Sequence, residues 1–486
     1  MNKLLLYYNI IFHLFSLIYS ITFELKIVKQ SKFFRNLDST VFGSSHTLHY
    51  YYANLYLGKR GIKQSYILDT GSSITTSPCE LCKYCGKHKN NYFKISNENI
   101  IKCKSDKCKM VNNYCLNETC SFSISYTEGS SLKGIYINEI IRFGNNINDI
   151  NYTYIPIGCT TQETHLFKTQ LADGIMGLSN SKLNFINLLK ENNLIKNNIF
   201  SLCFGQNGGY FTIDEIQNKY HLSKNINYFK IENIGYYYYE IKNIKILNNT
   251  IEVNSPGLID SGTTYTYFPY EISKQIEDLI IKECNKKENN GKCGKYENTN
   301  NLGSCFSFKN KNDINYAINN IFPNITFEYN DNIKYIWSPH NYYYDVIKNN
   351  KICFGFTGSN EKFILGSTWM RGHDIIFNMD NNTIGFVEAD CNKGINFIIE
   401  DPDEKNNDKL NSFWNAYLIY FYLGIFSILI FIFIMFLFGI NKLRKGKNFL
   451  CFNVDENQLK VITNINIEMK KQENLYQQYN LFPELK

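Results

Sequence analysis

Two short segments of the sequence combine an acidic, a small and a hydroxyl-bearing residue in the same order. Residues 66–73 read YILDTGSS and residues 257–264 read GLIDSGTT, so Asp69 and Asp260 each follow an aliphatic run typical of a buried strand. Two carboxyls held together in a dry site cannot both ionise, and they share one proton. Such a pair can take a proton from water and give one to a carbonyl oxygen. The pattern predicts hydrolysis of peptide bonds, with Asp69 and Asp260 as the catalytic residues.

The residues that follow each aspartate are suited to support it. A glycine permits a tight turn beneath the carboxylate, one hydroxyl can hold the carboxylate in plane, and another can brace the two turns against each other. These supporting residues are Thr70, Gly71 and Ser72 in the first segment and Ser261, Gly262 and Thr263 in the second. A single Asp-x-Gly segment is equally typical of an ordinary β-turn, so one segment alone would indicate only a turn.

A faint internal repeat extends beyond the two aspartate turns. Each turn is followed, at nearly the same distance along the chain, by two apolar residues and a glycine, at 175–177 (IMG) and 364–366 (ILG). A pair of motifs repeated with matching spacing indicates two homologous halves. We therefore expect two lobes, related by a pseudo-two-fold axis, that bring Asp69 and Asp260 together.

The elements that position these residues are predicted to be strands. From residue 49 onward the chain consists of short alternating apolar runs separated by Gly, Asn, Ser and Asp, which favours an all-β architecture. Helical periodicity is confined to residues 181–196 and 270–283. The polar segment 284–304 is predicted to be a surface insertion.

Two apolar segments frame the chain. Residues 1–20 are typical of a signal peptide, with an uncleaved anchor as the alternative, and 21–45 are predicted to be a leader or pro-segment. Residues 413–440 carry no charge and are long enough to span a bilayer as one helix, preceded by a charged linker at 400–412. Basic residues open the tail 441–486, which places this tail in the cytosol and the rest of the mature chain in the lumen.

Cysteine usage agrees with a lumenal location. Of the 15 cysteines only Cys451 follows the predicted span, which leaves an even number before it. An oxidising compartment favours disulfides for this set over the zinc site that a C-x-x-C-x-x-C segment also permits, and spacing alone leaves the connectivity open. The cysteines expected to form disulfides are Cys79, Cys82, Cys85, Cys103, Cys108, Cys115, Cys120, Cys159, Cys203, Cys284, Cys293, Cys305, Cys353 and Cys391.

Several function classes are disfavoured. The formal charge of +7 is modest for 486 residues, and no basic face with interleaved aromatics is evident, so nucleic acid is not an expected partner. The sequence contains neither H-E-x-x-H nor G-x-S-x-G, which argues against a metallohydrolase and a serine hydrolase. We expect no metal and no cofactor.

The sequence resembles the pepsin family of aspartic proteases over roughly residues 45–392. The motifs that carry the resemblance are the two aspartate turns, the loops ADGIMGL at 172–178 and FILGSTWMR at 363–371, and the flap hairpin SISYTEGS at 123–130. The family usually has Asp where this sequence has Ser367. The resemblance implies an all-β, bilobal fold with pseudo-two-fold symmetry, in which Tyr126 is the flap tyrosine over the substrate; an ordinary strand tyrosine is the alternative.

The resemblance also implies the division of the chain. The N-terminal lobe is expected at 46–204, with a Cys-rich insert at 79–120, and the C-terminal lobe at 205–399. By similarity to membrane-anchored members, Cys203 is expected to pair with Cys391 and Cys305 with Cys353.

The sequence resembles family members of the endoplasmic reticulum membrane in three features. These are a Cys-rich insert, a flap glutamate and a C-terminal span. Those members cleave exported proteins after Leu in an Arg-x-Leu-x-(Glu/Gln/Asp) element, which implies such proteins as substrates and the translocation machinery as a further partner. Glu128 in the flap, helped by Gln170, is the candidate for binding the Arg; a solvated hairpin tip is the alternative for Glu128. Some of these members carry an unpaired Cys where this sequence has Thr127. A secretase-like or nepenthesin-like specificity, or an inactive receptor, are the other interpretations.

Overall fold

The computed structural model describes residues 37–44, 48–111, 114–143, 152–231, 235–289, 291–299, 303–329, 333–346, 350–360 and 363–392. The predicted signal peptide, linker, transmembrane span and cytosolic tail lie outside these residues, as do residues 21–36 of the predicted leader. No helix within the described ranges is long and apolar enough to cross a membrane. The transmembrane helix therefore stays a prediction.

Most elements of the described chain are strands. In chain order they are β1 (Leu37–Ser44), β2 (Tyr50–Leu57), β3 (Ile62–Asp69), β4 (Thr76–Pro78), β5 (Cys115–Leu116), β6 (Thr119–Ser125), β7 (Ser131–Phe143), β8 (Tyr152–Glu163), β9 (Gly174–Gly177), β10 (Ile199–Gly205), β11 (Gly208–Ile213), β12 (Asn227–Lys230), β13 (Tyr238–Ile246), β14 (Asn249–Ile259), β15 (Thr266–Pro269), β16 (Lys295–Thr299), β17 (Gly303–Ser307), β18 (Ile325–Glu328), β19 (Lys334–Trp337), β20 (Tyr343–Val346), β21 (Lys351–Phe354), β22 (Phe356–Ser359), β23 (Ile364–Leu365), β24 (His373–Asn378) and β25 (Thr383–Glu388).

The helices of the described residues are short. They are α1 (Asp106–Val111), α2 (Phe185–Glu191), α3 (Tyr270–Cys284), α4 (Lys311–Asn320), α5 (Pro339–Tyr342) and α6 (Ser367–Met370), with 3₁₀ turns at Asn97–Asn99, His165–Lys168, Asn218–Tyr220 and Lys287–Asn289. The prediction at 270–283 agrees closely with α3. The predicted helix at 181–196 is realised only as α2. Asn184 caps its N-terminus by accepting from the N–H of Asn187, and Asn193 just beyond it has φ 56°, which ends the helix.

The described strands form three sheets. The largest has fourteen strands in the order β12-β25-β24-β10-β11-β1-β2-β3-β9-β4-β8-β7-β6-β5. A second has seven, β19-β18-β13-β14-β23-β15-β22, and a third has four, β16-β17-β21-β20. Because β24 and β25, from the end of the described chain, join β10 and β11, the two halves of the sequence share one sheet.

The same strand arrangement occurs once in each half. β3 runs parallel to β9, with Asp69 opposite Gly177, and β14 runs parallel to β23, with Ile259 opposite Leu365. In each half a further strand, β4 or β15, continues the arrangement by pairing antiparallel to that partner. The predicted repeat is therefore a repeat of structure, and it places the two aspartate turns at equivalent points.

The first strand is a departure from the expected division of the chain. Residues 21–45 were predicted to be a leader, yet β1 pairs with β11 and with β2 as part of the large sheet. Val41 is 1% exposed and belongs to the main hydrophobic core. This part of the predicted leader therefore contributes a strand to the folded domain.

All fourteen cysteines that precede the predicted span are paired in disulfides. The bonds are Cys79–Cys159, Cys82–Cys85, Cys103–Cys115, Cys108–Cys120, Cys203–Cys391, Cys284–Cys293 and Cys305–Cys353. The Cys203–Cys391 and Cys305–Cys353 pairings are those that the resemblance implied. The three cysteines of the C-x-x-C-x-x-C segment bond to cysteines, and the described residues contain no cluster of His, Cys, Asp and Glu that could hold a metal.

Candidate active site

Both aspartates lie where a strand ends beside its parallel partner. Asp69 is the last residue of β3, whose residues from Gln64 onward are all buried, and Asp260 follows directly on β14. A continuous buried run is expected for a strand that is covered on both faces. Asp69 is 7% exposed, and Asp260 is half-buried. The aliphatic run before Asp69 thus delivers this carboxyl into the interior, whereas β14 alternates buried and exposed residues and leaves Asp260 partly accessible.

The two carboxylates have matching hydrogen-bond donors. Oδ1 of Asp69 accepts from the N–H of Gly71 at 2.8 Å, and its Oδ2 accepts from the hydroxyl of Ser72. Oδ1 of Asp260 accepts from the N–H of Gly262 at 3.0 Å, and its Oδ2 from the hydroxyl of Thr263 at 2.6 Å. One N–H and one hydroxyl therefore fix the plane of each carboxylate, which stabilises the ionised form through charge-assisted hydrogen bonds.

The glycines of the two turns make room for the opposite aspartate. A Cβ atom added at Gly71 would lie 2.8 Å from Oδ1 of Asp260, and one added at Gly262 would lie 2.3 Å from Oδ1 of Asp69. At these distances any side chain in place of either glycine would overlap the opposite carboxyl. Each carboxyl therefore lies against the turn of the other, and the structure brings the predicted pair together.

The proximity of the two carboxyls changes their chemistry. Burial, and then the negative charge of Asp260, raise the pKa of Asp69 well above its usual value, against the opposing effect of the hydrogen bonds from Ser72 and Gly71. The cause is general, since two like charges in a dry site cannot both ionise. The pair therefore retains a proton at a pH at which an isolated aspartate would have lost it.

A reciprocal set of hydrogen bonds joins the two turns. The N–H of Thr70 donates to Oγ of Ser261 at 2.9 Å, and the N–H of Ser261 donates to Oγ1 of Thr70 at 2.9 Å. The same hydroxyls donate across the pair to backbone carbonyls, from Thr70 to Ile259 at 3.0 Å and from Ser261 to Leu68 at 2.7 Å. All these donors are buried, so the cross-brace that the sequence predicted fixes the relative position of the turns.

A hairpin between β6 and β7 lies over this pair. Its turn is closed by the N–H of Tyr126, which donates to the carbonyl of Ser130 at 2.8 Å, and Gly129 takes the left-handed conformation with φ 94°. The hydroxyl of Tyr126 is 3.1 Å from Oγ of Ser72, the donor to Asp69. Burial, and the charges of Asp69, Glu128 and Asp260, raise the pKa of this tyrosine, so it stays a neutral hydroxyl.

Comparison with known proteins identifies this arrangement. Residues 50–389 match the family described as Eukaryotic aspartyl protease. The chain belongs to this family. It is 27% identical to plasmepsin V of Plasmodium falciparum over 439 residues, which cover 72% of this chain and 73% of that protein.

Two further relatives are more distant or match a shorter region. Aspartic proteinase 39 of Arabidopsis thaliana is 22% identical over 401 residues, covering 76% of this chain and 80% of that protein. Aspartic protease 5 of Toxoplasma gondii is 31% identical over 199 residues, covering 36% of this chain and 20% of that protein. Family membership confirms the resemblance to pepsin-like proteases, the mostly-β fold and the enzyme class, an aspartic endopeptidase.

The two residues predicted to bind an Arg side chain occupy different parts of the protease. Glu128 is exposed at the tip of the flap hairpin, next to the exposed Thr127. Gln170 is half-buried and follows the 3₁₀ turn His165–Lys168, and its side-chain amide donates to the carbonyl of Ala172 at 3.3 Å. Glu128 lies close enough to Tyr126 for its charge to affect that hydroxyl.

The protease has Ser367 where the family pattern has Asp, and this serine contacts the second aspartate turn. The N–H of Ser367 donates to the carbonyl of Thr263 at 2.8 Å, and its hydroxyl donates to the carbonyl of Thr264 at 3.2 Å. In the other half, the N–H of Ser179 donates to the carbonyl of Ser72 at 3.0 Å. Both turns are thus supported from behind in the same way.

Sequence reasoning missed the groups that anchor the segment around Gln170. The hydroxyl of Tyr50 accepts from the N–H groups of Leu171 and Ala172, at 2.9 and 3.0 Å. The carboxylate of Asp173 accepts from both the N–H and the hydroxyl of Ser65, each at 2.6 Å. The only local signal was the Ala-Asp-Gly motif itself, since its partners are distant in sequence.

Proposed function

We propose that this protease hydrolyses peptide bonds with Asp69 and Asp260 as its catalytic pair. The observation that carries the proposal is the matched support of the two carboxyls, each of which accepts from one N–H and one hydroxyl. Each carboxyl also lies against the glycine of the opposite turn, where no larger residue would fit. The pair shares one proton. A water bound between the carboxyls can then lose its proton to the ionised one while it attacks the carbonyl carbon of the substrate.

The remaining proton completes the reaction. The protonated carboxyl donates to the carbonyl oxygen as the tetrahedral intermediate forms, which avoids a free oxyanion in a dry site. The proton taken from water then passes to the leaving amine as the C–N bond breaks. One hydroxyl of the intermediate returns its proton to the other carboxyl as the C=O bond re-forms, which restores the singly protonated pair. The cross-brace between Thr70 and Ser261 keeps the carboxyls in register during these transfers.

Tyr126 is proposed to act on substrate from the opposite side. Its hydroxyl reaches Ser72, and its ring packs edge-on against Phe167, with centroids 5.0 Å apart. Like Ile124, it packs against an apolar cluster that includes Phe122. The partly exposed side chains of Tyr126 and Ile124 are proposed to offer an aliphatic residue of the substrate an apolar surface, which suits a Leu immediately before the cleaved bond.

We further propose that the substrate is an Arg-x-Leu-x-(Glu/Gln/Asp) export element, cleaved after Leu. An exposed carboxylate at the flap tip supports this, because Glu128 can form a charge-assisted pair with an Arg two residues before the Leu. Gln170 is the second proposed contact to that Arg. Similarity to plasmepsin V favours this specificity over a secretase-like or nepenthesin-like one.

The proposed location is the membrane of the endoplasmic reticulum, with a single span and a lumenal catalytic domain. Seven disulfides support an oxidising compartment. The predicted span at 413–440 supplies the anchor. Proteins with an export element are the proposed substrates, and the translocation machinery that delivers them is a proposed partner.

A peptide panel tests the proposal. We expect cleavage of an Arg-x-Leu peptide to exceed that of its Arg→Lys and Leu→Ile versions. Glu128→Gln should reduce cleavage of the Arg peptide about tenfold, as expected for loss of a charge-assisted hydrogen bond. Glu118→Gln, at an exposed turn outside the flap, is the matched control and should change nothing. Equal cleavage of all three peptides would rule out the export-element specificity.

The catalytic assignment has a separate test. Asp69→Asn and Asp260→Asn should each abolish cleavage of every peptide in the panel. Hydrolysis retained by either folded variant would contradict the mechanism, whatever the specificity.

A further inference from the structure

The Cys-rich insert and the segment that carries Gln170 are joined backbone to backbone. We call residues 86–90 the insert clamp and residues 163–173 the Gln170 segment. The N–H of Lys89 donates to the carbonyl of Leu171 at 2.8 Å. A Cβ atom added at Gly86 would lie 2.0 Å from the carbonyl oxygen of Lys168, so no side chain fits between the two segments.

Side chains extend this contact at both ends. Asn90 donates its N–H to Oδ1 of Asp173 at 2.8 Å and its side-chain amide to Oδ2 at 2.6 Å. At the other end, the N–H of Gly86 donates to Oε2 of Glu163 at 2.8 Å. The insert clamp therefore lines the whole Gln170 segment.

A buried histidine occupies the middle of the contact. Nε2 of His88 is 3.0 Å from Oε2 of Glu163, and Nδ1 is 3.1 Å from the backbone carbonyl oxygen of Gln170. The side chains of His88 and Glu163 are 0% and 2% exposed. His88 is thus the one side chain of the clamp that reaches the backbone of Gln170 itself.

The two acceptors around His88 are suited to its protonated form. A carbonyl oxygen can only accept, so Nδ1 must carry a hydrogen to bond Gln170. Oε2 of Glu163 also accepts the N–H of Gly86, and as a carboxylate oxygen it can accept from Nε2 as well. Both hydrogen bonds of His88 are made at once when both ring nitrogens donate, that is, when His88 is an imidazolium.

The electrostatic surroundings agree with this geometry. Burial opposes a charge on His88, but the hydrogen bond and charge of Glu163, the carbonyl of Gln170 and the charge of Asp173 outweigh it and raise the pKa of the imidazole. The ring of Tyr92 also faces His88, with centroids 6.3 Å apart. Within the described residues these are the titratable groups that act on His88.

We propose that His88 is a positioning residue for substrate recognition, whose imidazolium, held by Glu163, fixes the backbone of Gln170 so that its side chain can contact the Arg of the substrate. This inference rests on the proposed function, because it assigns a role to Gln170 through the Arg that Gln170 is proposed to bind. The rest of the Gln170 segment is held from the other side by Tyr50 and Ser65. The backbone carbonyl of Gln170 itself is held by the hydrogen bond to His88.

The proposal makes recognition of Arg depend on pH. When His88 loses its proton, only one ring nitrogen can donate. The charge-assisted bond from Nε2 to Glu163 is the stronger one and is kept, so the bond to Gln170 is lost. The affinity for Arg at this position should fall, while the chemistry at the aspartates is untouched. KM should therefore change for an Arg peptide, and the KM of a peptide with Ala in place of that Arg should not.

The experiment measures kcat and KM for the Arg and Ala peptides from pH 5.5 to 8.5. It uses the wild-type enzyme, His88→Gln and His88→Asn. The Asn side chain can place an N–H near the position of Nδ1 and keep the bond to Gln170, whereas Gln places it near Nε2 and keeps only the bond to Glu163. The melting temperature of each variant is recorded as a check of folding.

For the wild type we expect KM for the Arg peptide to rise about three- to tenfold across this pH range, the loss expected for one hydrogen bond. His88→Gln should show the high KM at every pH, with kcat unchanged. His88→Asn should restore a low KM without the pH dependence. A purely structural role for His88 would instead lower the melting temperature and affect both peptides alike.

The outcomes separate this inference from the proposed function. If the wild type does not distinguish the Arg from the Ala peptide, the proposed specificity is wrong. If the wild type distinguishes the two peptides and His88→Gln distinguishes them equally well at every pH, the proposed role of His88 is wrong and the proposed specificity stands. Should His88→Gln fail to fold, a pH-independent ratio of the two wild-type KM values would still overturn the proposal.

Discussion

Thr70 and Ser261 each donate a backbone N–H to the hydroxyl of the other, both at 2.9 Å, although they belong to different halves of the sequence. Thr70→Val keeps the shape of the side chain but leaves the buried N–H of Ser261 without its acceptor. We expect the free energy of unfolding to fall by about 1–3 kcal/mol. We expect kcat to fall on the order of 10- to 100-fold, because small displacements of catalytic groups are costly.

Thr212→Val is the matched control for this variant. Thr212 is equally buried, and its hydroxyl lies 2.7 Å from that of Ser201 in the large sheet, away from the aspartates. Urea denaturation should show a loss of stability, with kcat unchanged. Equal kcat values for the two variants would show that the brace has no part in catalysis.

The hydroxyl of Tyr126 should matter for turnover more than for stability. Tyr126→Phe deletes the contact of 3.1 Å to Ser72 and leaves the packing on Phe167 in place. We expect kcat/KM to fall about tenfold, as for one hydrogen bond to a charged network, with the melting temperature unchanged. Tyr84→Phe, at a tyrosine that is 64% exposed, should leave kcat/KM at the wild-type value. A wild-type kcat/KM for Tyr126→Phe would show that the Tyr126 hydroxyl has no part in catalysis.

The raised pKa of Asp69 predicts that the protease loses stability as the pH rises. The folded chain keeps a proton on this buried carboxyl at pH values above about 4, where the unfolded chain has released it. Unfolding then releases a proton, so the free energy of unfolding falls by up to about 1.4 kcal/mol per pH unit until the raised pKa is passed. Asp69→Asn should flatten this slope between pH 5 and 7 in urea titrations. An unchanged slope would show that Asp69 is ionised in the folded enzyme.

His373 should have the opposite effect at acid pH. It is buried and stacks on Tyr335, with centroids 4.1 Å apart, and burial lowers its pKa to about 4. The unfolded chain takes up a proton below about pH 6.5 that the folded chain refuses, so stability is lost from there down to pH 4, by up to about 3 kcal/mol. His373→Phe should keep the stacking and reduce this loss. The free energy of unfolding of the wild type and of His373→Phe is measured at pH 6.5 and 4.5. An equal loss of stability in the two proteins would contradict the role of His373.

Two disulfides should differ in their contribution to stability. Cys203–Cys391 joins residues 188 apart in sequence and Cys82–Cys85 residues 3 apart. Loop-closure entropy predicts a contribution of about 5 kcal/mol for the first and about 2 kcal/mol for the second. Replacing each pair by Ala and measuring denaturation by urea compares them. Equal losses would mean that strain or packing, and not the closed loop, determines their effect.

The elements closest to the chemistry were the ones most readily predicted. The two aspartate turns are specified by a few adjacent residues, and α3 by a continuous amphipathic pattern, so local sequence was sufficient for both. The repeat indicated two equivalent halves, each with one aspartate. Because the proposed chemistry needs two carboxyls that share a proton, the halves were expected to bring their aspartates together.

Features that depend on partners distant in sequence were not predictable. β1 is a strand because β11 and β2 lie beside it, and nothing in its polar sequence specifies that pairing. His88 and Glu163 are separated by 75 residues and meet only after the insert has folded onto β8. The connectivity of the insert cysteines is likewise decided by the folded backbone.

The bond between Cys203 and Cys391 has a mechanical consequence. Cys391 lies just beyond β25, near the last described residue, and Cys203 lies in β10, between β11 and β24 in the large sheet. A pulling force on the chain beyond Asn392 would therefore reach a covalent bond before it could peel β25 from its neighbours. The load would pass to β10, an interior strand that is hydrogen-bonded to β11 on one side and β24 on the other. Tension from a tether at this end of the domain would therefore be borne first by the Cys203–Cys391 bond and by β10.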